Sequence, residues 1–583
     1  MPNRLERPHA APDQNLSGSG KRAGFSIPGL LTAPRLNSTH LSSTRLSVPF
    51  LFEAAGLVVL LAVVALVLFS TLSAPMKDDV AWLLYVAKKW LDGQKLYVDL
   101  VEVNPPLIVW LYAVPAWLAQ QWSVMPKTVA VPIFVAAALG SAWWTALLLR
   151  GTSPVLARPV PAFLVISLTL LTIPGIELGQ REHLLAMAVL PYIATRIRVL
   201  SGLPVSRRTS IIVGIVAGLG CSLKPLHALS LVFVEAYMLL RGHWRSVLAP
   251  LAGATVAIAY AAIVVEFYPE YLDRAVPLAV ALYGATDDTV ANIAWDSRRL
   301  LFGLAACLLI WAMDRRPRVS LVLGILSCFA IGAVLAVFGE GKNWFYHRLP
   351  GTTVIILALF FWASATLRDY GVPGIRSLRA AVLFKPVALR RVAAGIAALA
   401  ALGSFAHAAV ERTHEQFVLA VEPTLSTEVR LERLIRKQKA RTYIAFSEWI
   451  GLGFPVVNNT DVVWASRFDS MWALRGELWR ARLDGRPPRD WPIRLWIARD
   501  FVRSCPDIAV VDERQGINYT AVLAQADPDF AIAWSGYQQI DAFNGLRVFK
   551  RGVEGCGGFF PDPSEAVVSA SRDRRTPAPQ PAR

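Results

Sequence analysis

Two adjacent carboxylates, Asp78 and Asp79, directly follow an apolar run (residues 49–70) that is long enough to cross a bilayer. Charged side chains beside a membrane core are costly, so their presence favours a functional role. A carboxylate placed there could accept the proton of an attacking hydroxyl as a general base. One acid of the pair could instead cap the amphipathic helix that residues 80–91 predict and favour its dipole.

Other polar residues follow in the same segment and near the ends of later apolar runs, namely Asp99, Glu102, Asn104, Arg181, Lys224, Lys342, His347 and Arg348. A lysine within the membrane is costly, which favours a function for Lys224, next to the apolar run 211–223. Arg181 could simply be neutralised by Glu182. The bases of segment 339–350 could equally belong to an interfacial aromatic belt. No spacing of ligand residues indicates a divalent metal, and the sequence indicates no other cofactor.

The composition is that of a membrane protein, with 583 residues, 55% hydrophobic, 17% charged and a mean hydropathy of +0.44. About 20 apolar residues make a simple span. The clearest runs are 49–70, 129–149, 247–265, 319–338, 352–365 and 392–409. Shorter candidates are 107–119, 162–173, 184–194, 211–223, 228–240 and 300–312. The predicted fold is an α-helical polytopic membrane bundle of about 11–13 spans with a C-terminal soluble α/β domain.

The net charge of +17 lies largely in short connections between apolar runs, including 196–208, 241–245 and 368–391. This pattern marks cytoplasmic loops and disfavours nucleic acid as a partner. Residues 1–48 are predicted to be a disordered, basic cytoplasmic leader. The protein is then predicted to lie in a bacterial-type inner (plasma) membrane, with its N-terminus in the cytoplasm. Its C-terminal domain lies in the periplasm, provided that residues 107–119 dip into the membrane without crossing it.

The predicted domains are the leader (1–48), a transmembrane domain (49–410) whose first outer loop is 71–105, a periplasmic α/β domain (411–561) and a disordered tail (562–583). Strands are predicted over 443–446, 455–457, 508–511 and 546–549, and helices over 424–439 and 468–483. Cys505 and Cys556 could pair in an oxidising space or remain free thiols.

The segment 76–110 contains Asp-Asp, Trp-Leu-Asp-Gly, Leu-Tyr-Val-Asp, Glu and Asn-Pro-Pro-Leu in that order. This pattern resembles the first extracytoplasmic loop of the GT-C superfamily of membrane glycosyltransferases. The resemblance is strongest to the branch of protein O-mannosyltransferases, lipid A aminoarabinose transferases and Rgt-like sugar transferases. Many members have Glu where this chain has Asp79. The resemblance covers the later membrane region only loosely and the C-terminal domain not at all.

The resemblance implies a polyprenyl-phosphate sugar donor, an acceptor hydroxyl on a lipid, glycan or protein, and inversion at the anomeric carbon. By family position Asp78 would be the base, and Asp79 would orient it or the acceptor. Asp99, Glu102 and Asn104 would belong to the acceptor side of the loop. The donor phosphate would need fixed cations, for which the candidates are Arg181, Lys224, Lys342, His347 and Arg348.

Two other classes of protein remain open at this point. A lipid or solute transporter (a flippase) could use the same charges as a translocation path, although no inverted repeat is visible. The membrane part could also be an anchor for a binding module, but so many spans are excessive for that. A nucleotide-driven pump is disfavoured, because no phosphate-binding glycine motif occurs in a suitable context.

Overall fold

The computed structural model describes residues 48–370, 386–484, 491–552 and 556. The predicted leader and C-terminal tail lie almost entirely outside these residues. The first described part is built of helices, which in chain order are α1 (Val48–Ser73), α2 (Asp78–Leu91), α3 (Pro106–Trp122), α4 (Pro126–Leu149), α5 (Pro159–Thr172), α6 (Arg181–Leu200), α7 (Arg207–Leu223), α8 (Ala228–Leu240), α9 (Leu248–Phe267), α10 (Val276–Leu282), α11 (Val290–Asp296), α12 (Arg298–Met313), α13 (Pro317–Gly339) and α14 (Leu349–Tyr370). After residue 385, α15 (Pro386–Val421) follows.

Seven of the described helices are long and apolar enough to cross a membrane, namely α1, α4, α6, α9, α13, α14 and α15. The predicted helical bundle is confirmed to this extent. The other predicted apolar runs are also helical, but α3, α5, α7, α8 and α12 have only 13 to 17 residues. A total of about 11–13 spans therefore remains a prediction.

Small residues let α7 and α9 pack closely. Gly214 and Gly218 are one turn apart on α7, and a Cβ atom on Gly214 would lie 2.2 Å from the carbonyl oxygen of Ala249. A Cβ atom on Gly218 would lie 2.5 Å from the carbonyl oxygen of Gly253 on α9. Spaced small residues of this kind are the usual means of close helix contact in membranes, where no hydrophobic effect drives association.

The connection between α1 and α4 is a pair of helices rather than an irregular loop. The α2 and α3 helices pack against each other, and Gln120 near the end of α3 donates a hydrogen bond to Asp92 at 3.1 Å. The Tyr112 hydroxyl of α3 donates to the carbonyl oxygen of Gly179 at 2.7 Å, just before α6. This pair therefore holds the acidic segment against the start of α6.

The C-terminal part is a small α/β unit, as predicted. Its helices are α16 (Thr427–Gln438), α17 (Val456–Thr460), α18 (Trp472–Asp484), α19 (Ile493–Ser504), α20 (Tyr519–Ala526) and α21 (Pro528–Ser535). Its strands are β1 (Thr442–Phe446), β2 (Val463–Trp464), β3 (Ile508–Asp512), β4 (Tyr537–Phe543) and β5 (Leu546–Arg551). The sheet order is β2-β1-β3-β5-β4, with β1 parallel to β2 and β3, and β5 antiparallel to β3 and β4. The predicted domain boundary at 411 falls inside α15, which continues to Val421.

Three of the four predicted strands fall on β1, β3 and β5, whereas the prediction for 455–457 is wrong. That segment begins the short helix α17, with Val456 and Val457 fully or nearly buried. A short buried apolar run has no period that distinguishes strand from helix. Strand β4 was not predicted, because its exposed polar residues hide the alternation of apolar and polar residues that marks a strand. The turn that joins β4 to β5 is Asn544-Gly545, with φ values of 47° and 71°, as a tight hairpin requires.

The α/β unit packs directly on connections between the helices, and it belongs to the same compact unit as the helical part. The backbone N–H of Val101 donates to the carbonyl oxygen of Arg467 at 2.8 Å. The Trp82 ring of α2 lies 4.9 Å from the Phe454 ring. Gly476 of α18 lies so close to α10 that an added Cβ would be 2.4 Å from the carbonyl oxygen of Leu282. These contacts bring residues near 469 to the helix ends.

Candidate active site

A polar cavity of about 280 Å³ lies where several helices begin or end and the α/β unit covers them. Its acidic and basic lining residues come from five segments far apart in the sequence: Asp79, Glu102, Arg181, Lys224, Glu340, Lys342, His347 and Asp469. Six of these were predicted as site residues, and Asn104 also lines the cavity. Asp78, Asp99 and Arg348 were predicted with them but do not line it. All these residues lie at or next to a helix terminus or in a connecting segment, and these helix ends and connections meet at the cavity.

Asp79 is the acid of the pair that faces the cavity. Its Oδ2 accepts a hydrogen bond from the side-chain amide of Gln180 at 3.0 Å. Burial and the neighbouring charge of Asp78 raise the pKa of Asp79 above its usual range, although Arg181 and Lys77 oppose the shift. A carboxylate with a raised pKa is a stronger proton acceptor than an ordinary aspartate.

Asp78 has a different environment. Its Oδ1 accepts the backbone N–H of Asp79 at 2.9 Å and lies 3.0 Å from the ammonium of Lys77. Lys77 also approaches Glu177 at 3.8 Å. Burial raises the pKa of Glu177 to about 7, against the charge of Lys77. Asp78 is thus part of an ion-pair group beside the cavity, and only Asp79 of the pair lines the cavity itself.

Glu102 is a buried carboxylate whose hydrogen-bond capacity is used by its neighbours. It accepts from the Trp82 indole at 2.5 Å and from the backbone and side-chain N–H groups of Asn104 at 2.7 and 2.5 Å. Burial raises its pKa. Such a carboxylate is suited to positioning the loop. Asp99 accepts the backbone N–H of Lys95 at 2.8 Å and stabilises the preceding turn.

Arg181, the first residue of α6, is the cation with unused donor capacity. The residue is 6% exposed, and within the described part of the chain its Nε has no hydrogen-bond partner. Its guanidinium carbon lies 5.9 Å from the centre of the Tyr346 ring. A buried guanidinium that lacks a partner at one nitrogen and lines a cavity is suited to bind an anionic ligand.

Lys342 and Lys224 are held by protein partners. The Lys342 ammonium donates to the carbonyl oxygen of Tyr283 at 2.5 Å and to Asp287. Burial lowers its pKa, against the effect of Asp287. Lys224, next to the end of α7, lies 3.0 Å from Glu182 and 3.1 Å from Glu340.

His347 completes the cluster around Lys224. Its Nδ1 lies 2.7 Å from Glu340. Burial alone would raise the pKa of Glu340, but the hydrogen bond from His347 and the charge of Lys224 hold this pKa below its usual range. Ligand atoms of Glu182, Glu340 and His347 lie within 4.8 Å of one another, so these residues could hold a metal ion. The Lys224 ammonium already contacts both carboxylates and supplies the positive charge there.

Glu340 and Asp469 line the cavity but were not predicted, and Asp469 comes from the α/β unit. Asp469 accepts from the Trp472 indole at 2.8 Å and from the backbone N–H of Ser470 at 2.7 Å. Burial, and then the charge of Glu102, raise its pKa to about 8. No local motif marks it, since its place depends on how the α/β unit packs on the outer loops.

One histidine near the site, His183, has a structural role. His183 accepts the Gly179 N–H at Nδ1 (3.1 Å), and its Nε2 lies 2.9 Å from the carbonyl oxygen of Leu170. Both ring nitrogens are therefore occupied, which leaves neither for a metal. Tyr283, which follows α10, also lines the cavity.

No protein-family model matches this chain, and no curated protein matches it in sequence.

Proposed function

We propose that this chain is an integral membrane glycosyltransferase that moves a sugar from a polyprenyl-phosphate donor to an envelope acceptor hydroxyl. The observation that carries the proposal is the single cavity with acids from the first outer connection and from the α/β unit, facing cations at the starts and ends of apolar helices. One set of groups can remove a proton while the other stabilises a departing phosphate.

In the proposed reaction, Asp79 accepts the proton of the acceptor hydroxyl as its oxygen attacks the anomeric carbon. The attack comes from the face opposite the phosphate, and the bond from that carbon to the phosphate oxygen breaks as its electron pair leaves with the lipid phosphate. The configuration at the anomeric carbon is therefore inverted. Arg181 binds the phosphate, because its guanidinium is buried and its Nε has no hydrogen-bond partner among the residues that the structure describes. Lys224 and Lys342 lie around it and add positive charge, although both are already paired.

The position of the charges supports a transferase over a transporter. Arg181 and Glu182 are the first residues of α6, Lys224 follows α7, and Glu340 follows α13. A translocation path would need such groups near the middle of the spanning helices, at the bilayer midplane. Grouping at helix ends instead suits chemistry on a lipid headgroup at the membrane surface. The proposal puts this face on the periplasmic side.

Mass spectrometry of envelope lipids and glycans tests the proposal. Cells that lack the protein should lose one defined sugar unit from one class of molecule. The wild-type chain and Asp78→Asn should restore it, whereas Asp79→Asn at equal membrane abundance should not. An unchanged glycan and lipid profile, together with altered uptake or lipid sidedness, would favour a transporter.

A further inference from the structure

A second pocket lies on the other side of the short 3-10 helix Phe345–Arg348. Trp344 and His347 line the cavity described above, whereas Phe345 and Arg348 line this second pocket of about 240 Å³. Its charged lining residues are Asp296, Arg298, Arg299, Arg348 and Arg412. With four arginines and one acid it carries an excess of positive charge, and we call it the arginine pocket.

The arginines of this pocket are weakly paired. Arg348, which is 8% exposed, donates to the neutral oxygens of Ser297, at 2.9 Å, and Asn343. The guanidinium carbon of Arg412 lies 3.1 Å from the centre of the Phe345 ring. Among the described residues, neither of these two arginines lies within ion-pair distance of a carboxylate. Arg299 reaches Glu411 only at 3.9 Å.

An apolar groove of about 970 Å³ continues from the arginine pocket. The two share Ile173, Phe405 and Ala409 as lining residues. The groove lies between α1, α5, α14 and α15, and its walls are almost entirely hydrocarbon side chains. Leu399 and Val410 on the α15 wall are 71% and 67% exposed. An exposed apolar surface of this extent marks a site that hydrocarbon covers.

We propose that the arginine pocket and the apolar groove together bind one membrane lipid with a phosphate headgroup. Arg348 and Arg412 would hold the phosphate, since guanidinium matches phosphate oxygens with paired, charge-assisted hydrogen bonds. The hydrocarbon chain would lie between α1, α5, α14 and α15 and pack against their apolar side chains. The site is separate from the cavity of the proposed reaction, and its occupancy does not depend on sugar transfer.

Native mass spectrometry of the full chain in a neutral detergent tests this site, with phosphatidic acid as the probe. We expect one phosphatidic acid molecule to remain bound per protein molecule. Diacylglycerol with the same acyl chains, which lacks the phosphate, and inorganic phosphate, which lacks the acyl chains, should each bind at least about tenfold more weakly. Arg412→Gln and Gly403→Phe should each weaken phosphatidic acid binding by about tenfold or more. Gly403 lines the groove, and a Cβ atom added there meets nothing within 4 Å.

Matched variants separate the site from general effects. Gly395 is also on α15 with open space beside it but does not line the groove, so Gly395→Phe should bind normally. Arg503 is an exposed residue of α19, and Arg503→Gln removes the same charge elsewhere. Equal binding of diacylglycerol, equal binding of free phosphate, or unchanged binding by both Arg412→Gln and Arg348→Gln would each overturn the proposal.

Discussion

Asp78 and Asp79 are neighbours in the sequence, but only Asp79 lines the cavity, whereas Asp78 lies 3.0 Å from the Lys77 ammonium. Helix α2 begins at Asp78, and successive side chains of a helix point about 100° apart. One acid therefore accepts an N–H group of the first helical turn, and the other reaches Gln180. Asp78 thus makes the local contact in the first helical turn, and only Asp79 is placed for the proposed functional role.

The first prediction concerns this division of roles. Asp79→Asn keeps the shape of the side chain but removes the proton acceptor, so the transfer rate should fall by about a hundredfold or more. Asp78→Asn should cost far less, because an amide oxygen can still accept the N–H of residue 79. The measurement is the single-turnover rate with purified protein in lipid discs. Equal losses in the two variants would contradict the assignment of Asp79 as the base.

The second prediction concerns the donor phosphate. Arg181→Gln should raise the KM for the lipid-phosphate donor by about ten- to a hundredfold, since a charge-assisted contact to phosphate is lost. Arg181→Lys should restore part of the affinity. The matched control is Arg198→Gln, which removes a charge from the last turn of the same helix. If Arg181→Gln and Arg198→Gln show the same donor KM, Arg181 does not bind the phosphate.

The third prediction concerns Asp469 and pH. Its pKa in the folded chain is about 8, so the folded state holds this proton up to that pH, whereas an unfolded aspartate loses it near pH 4. The folded state therefore binds more protons between these values, and stability falls as the pH rises through this window. Asp469→Asn should remove this loss of stability at high pH. Its thermal midpoint should exceed that of the wild type at pH 9 and approach it as the pH falls toward 4.

This difference can be checked by intrinsic fluorescence during heating in detergent at several pH values. Asp469→Asn should also keep most of the transfer activity at pH 7, where the wild-type side chain is already neutral. A constant offset between the two midpoints at all pH values would contradict the raised pKa.

The sequence predicted the parts of the site that local patterns mark. Apolar runs located the helices, and costly charges at their ends marked Arg181, Lys224 and Lys342, because burial of a charge beside lipid needs a reason. Asp469 was missed, because its position follows from packing between segments that are distant in the chain. Arg348 was grouped with His347 because the two residues are adjacent in the sequence. Adjacency says little about which side of a short helix each side chain faces, and the two line different pockets.

The fourth prediction concerns the buried cluster around Lys224. Lys224→Gln would leave the carboxylates of Glu182, which is 0% exposed, and Glu340 without their closest positive charge. Removal of one partner from a buried ion pair costs about 3–5 kcal/mol. The double variant Lys224→Gln with Glu182→Gln should recover part of that loss, because one unpaired charge is removed as well. Equal stability of the wild type and Lys224→Gln in denaturant unfolding would show that the cluster is not needed for the fold.

The fifth prediction concerns the compartment of the α/β unit. Its only two described cysteines, Cys505 and Cys556, form a disulfide that closes a loop with a sequence separation of 51. A bridge of that span stabilises a domain by about 4 kcal/mol in the loop-entropy model, and it persists only in an oxidising space. We therefore expect a C-terminal reporter enzyme that works only in the periplasm to be active, and one that works only in the cytoplasm to be silent.

Thiol labelling completes this test and separates compartment from bonding. In unreduced, unfolded protein, Cys221, Cys307 and Cys328 should react, whereas Cys505 and Cys556 should react only after reduction. Cys505→Ser should lower the stability of the α/β unit and expose one further thiol. A cytoplasmic reporter signal would reverse the orientation proposed here, since the cavity and the α/β unit lie on the same face. Free labelling of both cysteines, with the periplasmic signal intact, would rule out the bridge and leave the orientation standing.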